Sequence, residues 1–365
     1  MAKGSGTLES LEMNEKFWTG KRVFLTGHTG FKGSWLSLML HNLGARVTGY
    51  SLAPSTKPSL FEVANVANCI TSIVADICDL PTLQSAMRSA KPDIVIHMAA
   101  QPLVRKSYAE PVETYGTNVM GTVNVLEAVR HTSNVKAVLV VTTDKCYVNR
   151  EWVWGYREDD ALGGFDPYSS SKACSEIVSS AYRSSYFTDM KVRLATARAG
   201  NVIGGGDWSQ DRLIPDLIRS FVNKEMAFIR NPNSVRPWQH VFEPLRGYIM
   251  LAKRLYLAEN EEYSRAWNFG PTDNDCKSVS WIATKMSSMW GDSADWTTGS
   301  SSKLHEATSL KLDISLATSE LGWKPIFSLE QGLMHLVKWN KEYLKYKNAQ
   351  DISVSQVREY MQGGM

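Results

Sequence analysis

The sequence has little of several features that mark particular classes of protein. Its 365 residues carry a net charge of only +3 and no long run of Lys or Arg, so nucleic acid is not an expected partner. It has no run of about 18 apolar residues, so no membrane span is expected. Five scattered cysteines without a Cys-x-x-Cys pair predict free thiols in a reducing compartment and no metal site. Residues 1–10 lack the apolar core of a secretory signal, and we expect a cytoplasmic protein.

From residue 21 onward, short apolar runs alternate with helix-like stretches. A composition of 43% hydrophobic and 21% charged residues is that of a globular protein. The runs are almost wholly apolar, as in strands buried on both faces of a parallel sheet. We therefore predict an α/β fold with a Rossmann-type, doubly wound parallel sheet. Predicted strands cover residues 22–26, 46–51, 73–75 (the end of a strand), 93–98 and 135–143, and predicted helices cover 34–43, 80–89 and 112–131.

The pattern changes after about residue 200. Residues 201–212 are glycine-rich and loop-like, and later helices are predicted at 245–257, 278–289 and 329–344. We expect a sheet domain over residues 21–200, with contributions from about 240–270, and a smaller, interleaved C-terminal domain over 201–365. Residues 1–20 are expected to be a disordered or cloning-derived extension.

Three glycines, Gly27, Gly30 and Gly33, lie between the first strand and the first helix. At this spacing the chain can turn sharply, approach a pyrophosphate closely and pack the helix on the sheet. The helix N-terminus then offers unpaired N–H groups to the phosphates. This context predicts a dinucleotide site.

The residues alone leave the choice between NAD and NADP open. The second strand ends at Ser51 without the acidic residue that often binds the adenosine ribose. Lys32 either meets a 2′-phosphate or is a solvated lysine on the first helical turn. Asp76 either accepts hydrogen bonds from adenine or caps the helix that follows it.

Tyr168 and Lys172 are four residues apart on a predicted helix that begins after Asp166-Pro167, so they share one face. A phenol is normally too weak a base at neutral pH, but a neighbouring ammonium ion and a bound nicotinamide cation favour the phenolate. Thr143, at the end of the fifth strand, is placed to hold an alcohol beside this pair. The three residues together predict oxidation of an alcohol.

Two further motifs complete a family pattern, His97-Met98-Ala99-Ala100-Gln101 and Asn118-Val119-Met120-Gly121-Thr122. With them, the chain from about residue 21 to at least residue 339 resembles the extended short-chain dehydrogenases/reductases, the family of nucleotide-sugar epimerases and dehydratases. The resemblance implies an NAD-binding Rossmann domain and a C-terminal substrate-binding domain. Cofactor contacts are then expected from Gly27, Thr29, Gly30, Phe31, Lys32, Gly33, Asp76, Ile77, Ala99, Ala100, Gln101, Asn118, Tyr168 and Lys172.

The pair Asp144-Lys145 directly follows Thr143, an arrangement that resembles the 4,6-dehydratases of this family. Oxidation of C4 of a hexose makes the C5 proton acidic, so water can leave across C5–C6 when an acid protonates the C6 hydroxyl and a base takes the C5 proton. Many such dehydratases have Thr-Asp-Glu, and here Lys145 replaces the glutamate. Asp144 is the expected acid. Lys145 is either the C5 base or an electrostatic stabiliser of the enolate, with Tyr168 or water as the base.

Other motifs narrow the expected substrate. The sequence is similar to the subfamily of these dehydratases that acts on CDP-glucose, which implies conversion of CDP-D-glucose to CDP-4-dehydro-6-deoxy-D-glucose and water for deoxysugar and lipopolysaccharide O-antigen biosynthesis. A nucleotide-sugar 4-epimerase and a non-catalytic dinucleotide-sensing regulator are the alternatives. The motifs that carry this resemblance are Thr143-Asp144-Lys145, the segment from Gly27 to Trp35, the segment from Asn201 to Trp208, and the segment from Arg236 to Val241.

Substrate contacts are expected from Asn201, Arg212 and Arg236, since amide and guanidinium groups suit phosphate oxygens. Trp208 and Trp238 either stack on a base or belong to the core. Family members are usually dimers through a four-helix interface, which the predicted helices over 112–131 and 168–186 would supply. Whether two such dimers form a tetramer is left open.

Overall fold

The computed structural model describes residues 16–292, 294–299 and 309–364. The strands are β1 (Arg22–Thr26), β2 (Arg46–Ser51), β3 (Thr71–Val74), β4 (Ile94–His97), β5 (Ala137–Val141), β6 (Arg193–Ala199), β7 (Val202–Ile203), β8 (Ala227–Ile229), β9 (Val235–Pro237), β10 (Gln239–His240), β11 (Ala266–Phe269), β12 (Cys276–Ser278) and β13 (Trp296–Thr298). The helices of the first half are α1 (Phe31–Asn42), α2 (Leu60–Val63), α3 (Leu80–Ala90), α4 (Val104–Ala109), α5 (Pro111–Tyr115), α6 (Gly121–Arg130) and α7 (Pro167–Tyr182). Those that follow are α8 (Thr188–Met190), α9 (Leu213–Asn223), α10 (Phe242–Leu257), α11 (Val279–Trp290), α12 (Ser315–Ser319), α13 (Leu329–Tyr346) and α14 (Ala349–Gly364).

Seven strands form one parallel sheet in the order β11-β6-β5-β4-β1-β2-β3. The predicted doubly wound α/β class is therefore confirmed. The strand order reverses direction between β1 and β4, and ligands of open α/β sheets bind in the crevice at such a switch point. The carboxyl ends of β1, β4 and β5, at Thr26, His97 and Val141, lie along this same edge.

The sheet is buried on both faces, which explains why its strands are wholly apolar. Along β5, Leu139 and Val141 belong to one core and Val138 and Val140 to the other. Trp18 is fully buried in the first of these cores. Residues 1–15 of the expected extension lie outside the described residues, but the folded chain includes residue 18, so the expected boundary at residue 20 is too late.

The two long helices predicted around the site are interrupted. The helix predicted over 112–131 consists of α5, a π-helical turn (Gly116–Met120) and α6, and α7 ends in a second π-helical turn (Arg183–Phe187). Such turns often occur at functional sites. Asp166 begins α7 as predicted, because its Oδ1 accepts the Ser169 N–H at 2.9 Å and Pro167 occupies the first turn.

The strands β7 to β10, β12 and β13 form a second lobe with the helices α9, α11 and α13. Its apolar core is built mainly from these three helices, and its strands pair in three two-stranded sheets. The last described helix, α14, packs on α13 and on α1, and its apolar residues belong to the core beside the main sheet. The sequence patterns did not predict α4, α9 or α14. Among the described residues, no helix is both long enough and apolar enough to span a membrane.

Candidate active site

The glycine turn closes so tightly that no side chain can be accommodated at Gly27 or Gly33. Gly27 has φ +80°, and a Cβ there would lie 2.7 Å from the Ala99 backbone nitrogen. A Cβ on Gly33 would lie 2.0 Å from the Gly27 carbonyl oxygen. Gly30 precedes α1 without a side-chain cap, and the first turn of α1 has no acidic residue. The turn therefore presents backbone N–H groups at a helix N-terminus to an anion.

Side chains of the turn fix it to its surroundings. Thr29 Oγ1 lies 2.9 Å from Ser51 Oγ and donates to Leu52 O at 2.8 Å, which ties the turn to the end of β2. Phe31 is half-buried and faces Gly204 of the second lobe. Lys32 Nζ donates to Tyr248 Oη on α10 at 3.0 Å. Burial and the charges of Lys172 and Arg212 lower the pKa of Lys32 to about 7.

At the end of β3, Asp76 is exposed and its Oδ1 accepts the Cys78 N–H at 2.9 Å. The cap of α3 is Asp79, whose Oδ1 accepts the Thr82 N–H at 3.2 Å. The alternative that Asp76 caps this helix is therefore wrong, because the helix begins three residues further on. Ile77 is buried against Gly121, where a Cβ would lie 2.4 Å from its Cδ1.

The segment after β4 is held by the π-helical turn. Asn118 accepts the Gln101 N–H at 2.8 Å and donates to Gln101 O at 3.1 Å and to Ser171 Oγ at 2.9 Å. Gln101 itself bonds to Leu103 within its loop and to Thr114 on α5. Ala99 and Ala100 are half-buried at the crevice between β1 and β4. Asn118 and Gln101 thus hold the segment after β4 in place chiefly by bonding to each other.

The structure brings the predicted threonine, aspartate and lysine together after β5. Thr143 Oγ1 donates to Asp144 Oδ1 at 3.0 Å, and Lys145 Nζ donates to the same oxygen at 3.3 Å. Asp144 is fully buried, and its second oxygen, Oδ2, is buried without a hydrogen-bond partner among the described residues. An unpartnered buried carboxylate oxygen is costly unless a ligand completes it.

Tyr168 and Lys172 approach this cluster from α7. Burial raises the pKa of Tyr168 to about 12, and the neighbouring Thr143 side chain and the Arg212 charge oppose this rise. Lys172 Nζ donates to Val141 O at 2.8 Å, and burial lowers the pKa of Lys172 to about 8, opposed by the charge of Glu176. All five predicted catalytic residues therefore lie in one cluster, the reaction cluster (Thr143, Asp144, Lys145, Tyr168 and Lys172).

Of the predicted substrate-binding residues, Arg212 is close enough to this cluster for its charge to act on Tyr168 and Lys32. Its Nη1 is 3.0 Å from Asp207 Oδ2. Asn201 has a buried side-chain oxygen without a partner among the described residues, and Arg236 Nη1 donates to Val235 O at 3.0 Å.

The two tryptophans of the substrate motifs are packing residues. Trp238 is buried and donates from Nε1 to Lys277 O at 3.0 Å. The ring of Trp208 packs edge-on against Trp339 at 5.9 Å. Both contacts are with the protein, which favours the core interpretation over base stacking.

The sequence patterns missed three features around the cluster. Gly200 faces Asp144, where a Cβ would lie 3.0 Å from Oδ2 and 2.6 Å from Pro237 Cγ. Tyr248 holds Lys32, and Glu176 pairs with Arg198 at 2.9 Å. Only the last pair could have been noticed in the sequence, since Glu176 is one turn after Lys172 and Arg198 follows four uncharged residues of β6.

Comparison with known proteins agrees with this geometry. A family model described as GDP-mannose 4,6 dehydratase matches residues 24–336. The chain belongs to this family. A CDP-glucose 4,6-dehydratase of Salmonella typhimurium is 53% identical over 354 residues, which cover 96% of this chain and 98% of the relative. The expected place among the nucleotide-sugar dehydratases is thereby confirmed.

Solved structures share the fold of this dehydratase family member. A UDP-glucose 4-epimerase of Thermotoga maritima superposes with a TM-score of 0.78 at 21% identity and covers 88% of this chain and 99% of its own. MoeE5, solved with UDP-glucose and NAD, has a TM-score of 0.74 at 25% identity over 89% of this chain and all of its own. The first supports the fold alone, and the second is a protein of the same fold that binds a nucleotide sugar beside NAD.

Proposed function

We propose that this protein is a CDP-D-glucose 4,6-dehydratase, an NAD-dependent hydro-lyase that forms CDP-4-dehydro-6-deoxy-D-glucose and water for deoxysugar and O-antigen biosynthesis. The Salmonella typhimurium relative supports the substrate. The observation that carries the reaction type is the unpartnered Oδ2 of buried Asp144 beside Thr143, Tyr168 and Lys172. An epimerase has work for the last three residues but none for this carboxyl group.

In the oxidation half, Tyr168 takes the proton of the C4 hydroxyl while the Thr143 hydroxyl orients that group. Because burial raises the pKa of Tyr168 to about 12, the phenolate needs cations nearby, and Lys172 and Arg212 lie on this side of the site. When bound, NAD would supply the acceptor for the C4 hydride and the donor of that hydride to C6.

In the elimination half, Asp144 donates a proton to the C6 hydroxyl, which leaves as water while the C5–C6 double bond forms. Lys145 takes the C5 proton and returns a proton to C5 after the C6 centre is reduced. The contact between Lys145 Nζ and Asp144 Oδ1 at 3.3 Å keeps the acid and the base on one side of the substrate. A base and an acid so placed typically contribute about 10²- to 10⁴-fold each.

The residues present fit NAD. The glycine turn is too close to Ala99 for any side chain, and the open N-terminus of α1 suits the pyrophosphate. Gly27, Thr29, Gly30, Phe31, Lys32 and Gly33 form the phosphate side, Asp76 and Ile77 lie on the adenine side, and Ala99, Ala100, Gln101 and Asn118 form the wall toward Tyr168 and Lys172. Lys32 donates to Tyr248 on α10, and this contact favours NAD over binding of a 2′-phosphate by this lysine.

The remaining assignments concern the substrate and the domains. We assign the diphosphate to Asn201, Arg212 and Arg236, since all three are half-buried on the second-lobe side of the cluster. Residues 201–365 then mainly bind the substrate, and residues 21–200 with about 240–270 bind the cofactor. Five free cysteines fit a cytoplasmic location.

The test is incubation of the purified protein with CDP-glucose, UDP-glucose, dTDP-glucose and GDP-mannose, each followed by mass spectrometry. Loss of one water from CDP-glucose, and at least about tenfold slower loss from the others, is the expected result. A product of unchanged mass with inverted C4 would instead establish the epimerase, and no turnover of any of the four would favour the regulator.

We also infer that two copies associate through α5, α6 and α7. Val112 is 84% exposed on α5, Met120 54% on the π-helical turn and Ile177 57% on α7, and contiguous exposed apolar surface marks interfaces. Tyr115 Oη and Ser170 Oγ, 2.6 Å apart, join the two helical segments into one face.

Sedimentation of the wild-type protein should give a dimer or a dimer of dimers, and Met120→Arg with Ile177→Arg should lower the mass. The control is Phe228→Arg, which changes an exposed aromatic residue on β8 and should leave the mass unchanged. A monomeric wild-type protein would exclude the interface.

A further inference from the structure

A buried ion pair lies one helical turn beyond Lys172. Glu176 on α7 is only 4% exposed, and Arg198 on β6 donates to its Oε2 at 2.9 Å. Thr196 Oγ1 also donates to Oε2, at 2.6 Å, and the Thr142 hydroxyl donates to Oε1. Both carboxylate oxygens therefore have partners, and these partners come from the two strands beneath the reaction cluster.

Arg198 extends the pair into a network. Its Nη1 donates to Tyr147 Oη at 2.7 Å and to Glu158 O at 2.8 Å, and Tyr147 in turn donates to Asn268 Oδ1 at 2.7 Å. We call this set the anchor network (Thr142, Tyr147, Glu176, Thr196, Arg198 and Asn268). It joins α7 to β5, β6 and β11, so Glu176 has little freedom to move.

The anchor network meets the reaction cluster at the end of β5. Thr142, which donates to Glu176, is the residue directly before Thr143. Val141, whose carbonyl oxygen accepts Lys172 Nζ at 2.8 Å, is the residue before that. Two contacts one turn apart on α7 therefore fix the helix against two consecutive residues, Val141 and Thr142, directly before Thr143.

We propose, on the basis of the proposed function, that Glu176 is a positioning residue for the reaction. Its contact with Thr142 sets Tyr168 and Lys172 opposite Thr143 and Asp144, and its negative charge stabilises the ammonium form of Lys172. Stabilisation of the fold alone does not explain why a charged residue lies here, because buried ion pairs seldom stabilise a fold more than apolar groups of the same shape.

The groups that act on Lys172 come from four elements. They are Glu176 on α7, Cys146 after β5, Lys32 on α1 and His97 on β4. Burial raises the pKa of the Cys146 thiol and lowers the pKa of His97 to about 3, so both are neutral near pH 7. Of these four, Glu176 is the one carboxylate, and hydrogen bonds and the Arg198 charge hold its pKa below the usual value.

The test is the pH profile of kcat/KM for CDP-glucose in Glu176→Gln, which keeps the shape of the side chain and removes its charge. Burial already lowers the pKa of Lys172 to about 8, and loss of the neighbouring anion lowers it further. The alkaline limb of the profile is the fall in kcat/KM at high pH as Lys172 loses its proton. We expect this fall to begin roughly one pH unit lower in the variant, and kcat/KM above that pH to be about tenfold lower. An unmoved limb in a folded Glu176→Gln protein would overturn the proposal.

Because Glu176→Gln leaves Arg198 without its partner, the double variant Glu176→Gln/Arg198→Met is measured beside it. The double variant should regain the thermal midpoint while its alkaline limb stays displaced. If the limb returned with the midpoint, the role of Glu176 would be structural only and the proposal would fail. The double variant also decides the matter if the single variant does not fold.

Two controls complete the design. Asp93→Asn breaks the Arg22–Asp93 pair, 2.9 Å long, at the opposite edge of the sheet and should leave the limb in place. Lys32 has a pKa of about 7 and therefore also titrates in this pH range. The Glu176→Gln profile is therefore compared again in a Lys32→Met background, where a shift of the limb caused by Lys32 would disappear. If the wild-type protein did not dehydrate CDP-glucose at all, the proposed function would fail first, and the two failures are thereby distinguished.

Discussion

The reaction cluster and the anchor network are both built on the end of β5 and on α7, yet they treat a buried carboxylate in opposite ways. Asp144 is 0% exposed and Glu176 is 4% exposed. Both oxygens of Glu176 have donors from the protein, whereas Oδ2 of Asp144 has none among the described residues. The protein itself supplies every hydrogen-bond donor to Glu176, whereas Asp144 keeps one acceptor oxygen available for a substrate.

The largest effect is expected for Asp144→Asn. The amide keeps an acceptor for Thr143 but cannot protonate the C6 hydroxyl, so turnover of CDP-glucose should fall by about 10³- to 10⁴-fold. The thermal midpoint should stay close to that of the wild-type protein, because Oδ2 makes no bond with the described residues. Turnover within tenfold of the wild-type value would show that the carboxyl group of Asp144 is not the acid. The difference in hydrogen bonding between Asp144 and Glu176 would then not indicate a difference in function.

Lys145→Ala should lower turnover by about 10²-fold, since one proton-transfer group is lost while Asp144 remains. In deuterium oxide, entry of deuterium at C5 should slow together with the loss of water, because both require removal of the C5 proton, and mass spectrometry and NMR measure the two rates. Normal deuterium incorporation at C5 would mean that another group is the base, and would leave Lys145 as an electrostatic stabiliser of the enolate.

Gly200→Ala tests whether the space beside Oδ2 matters. The added methyl group would lie 3.0 Å from Asp144 Oδ2 and 2.6 Å from Pro237 Cγ, so a neighbour must shift. We expect about a tenfold loss of turnover and a free energy of unfolding lower by about 1–3 kcal/mol. Gly363→Ala, where nothing lies within 4 Å, is the matched control and should change neither quantity.

The smallest effect on activity is expected for Tyr147→Phe in the anchor network. Loss of the hydroxyl removes bonds to Arg198 and Asn268, and the free energy of unfolding should fall by about 1–2 kcal/mol in denaturant titrations. Turnover should stay within about twofold, because Glu176 keeps its contacts with Thr142 and Thr196. A large loss of turnover at unchanged stability would show that Tyr147 acts in the reaction, and that the anchor network is not separate in function from the reaction cluster.

Much of the sheet could be predicted from the sequence because its signal is local. The bounds predicted for β1 and β2, residues 22–26 and 46–51, agree with the structure, since apolar runs between turn residues determine strands buried on both faces. Asp166-Pro167 likewise located the start of α7 correctly. The five reaction-cluster residues were found because each belongs to a short motif.

Features that depend on partners distant in sequence were missed. The π-helical turn at Asn118 has no local signature, because the extra residue is accommodated by bonds to Gln101 and Ser171. The role of Tyr248 requires knowing that α10 packs beside the glycine turn. Asp76 was offered as a helix cap because spacing alone did not identify Asp79 as the first acceptor.

The return of α14 to α1 has a consequence for biosynthesis of the chain. Asn42 Nδ2 lies 3.6 Å from Met361 Sδ, a contact between residues 319 positions apart, and Trp339 Nε1 donates to Ser353 Oγ at 2.9 Å in the same layer. A ribosome makes the glycine turn and α1 early, but the cover of α1 emerges only after almost all of the second lobe. Until then, α1 keeps apolar surface in water, so the nucleotide-binding half is completed only late in folding.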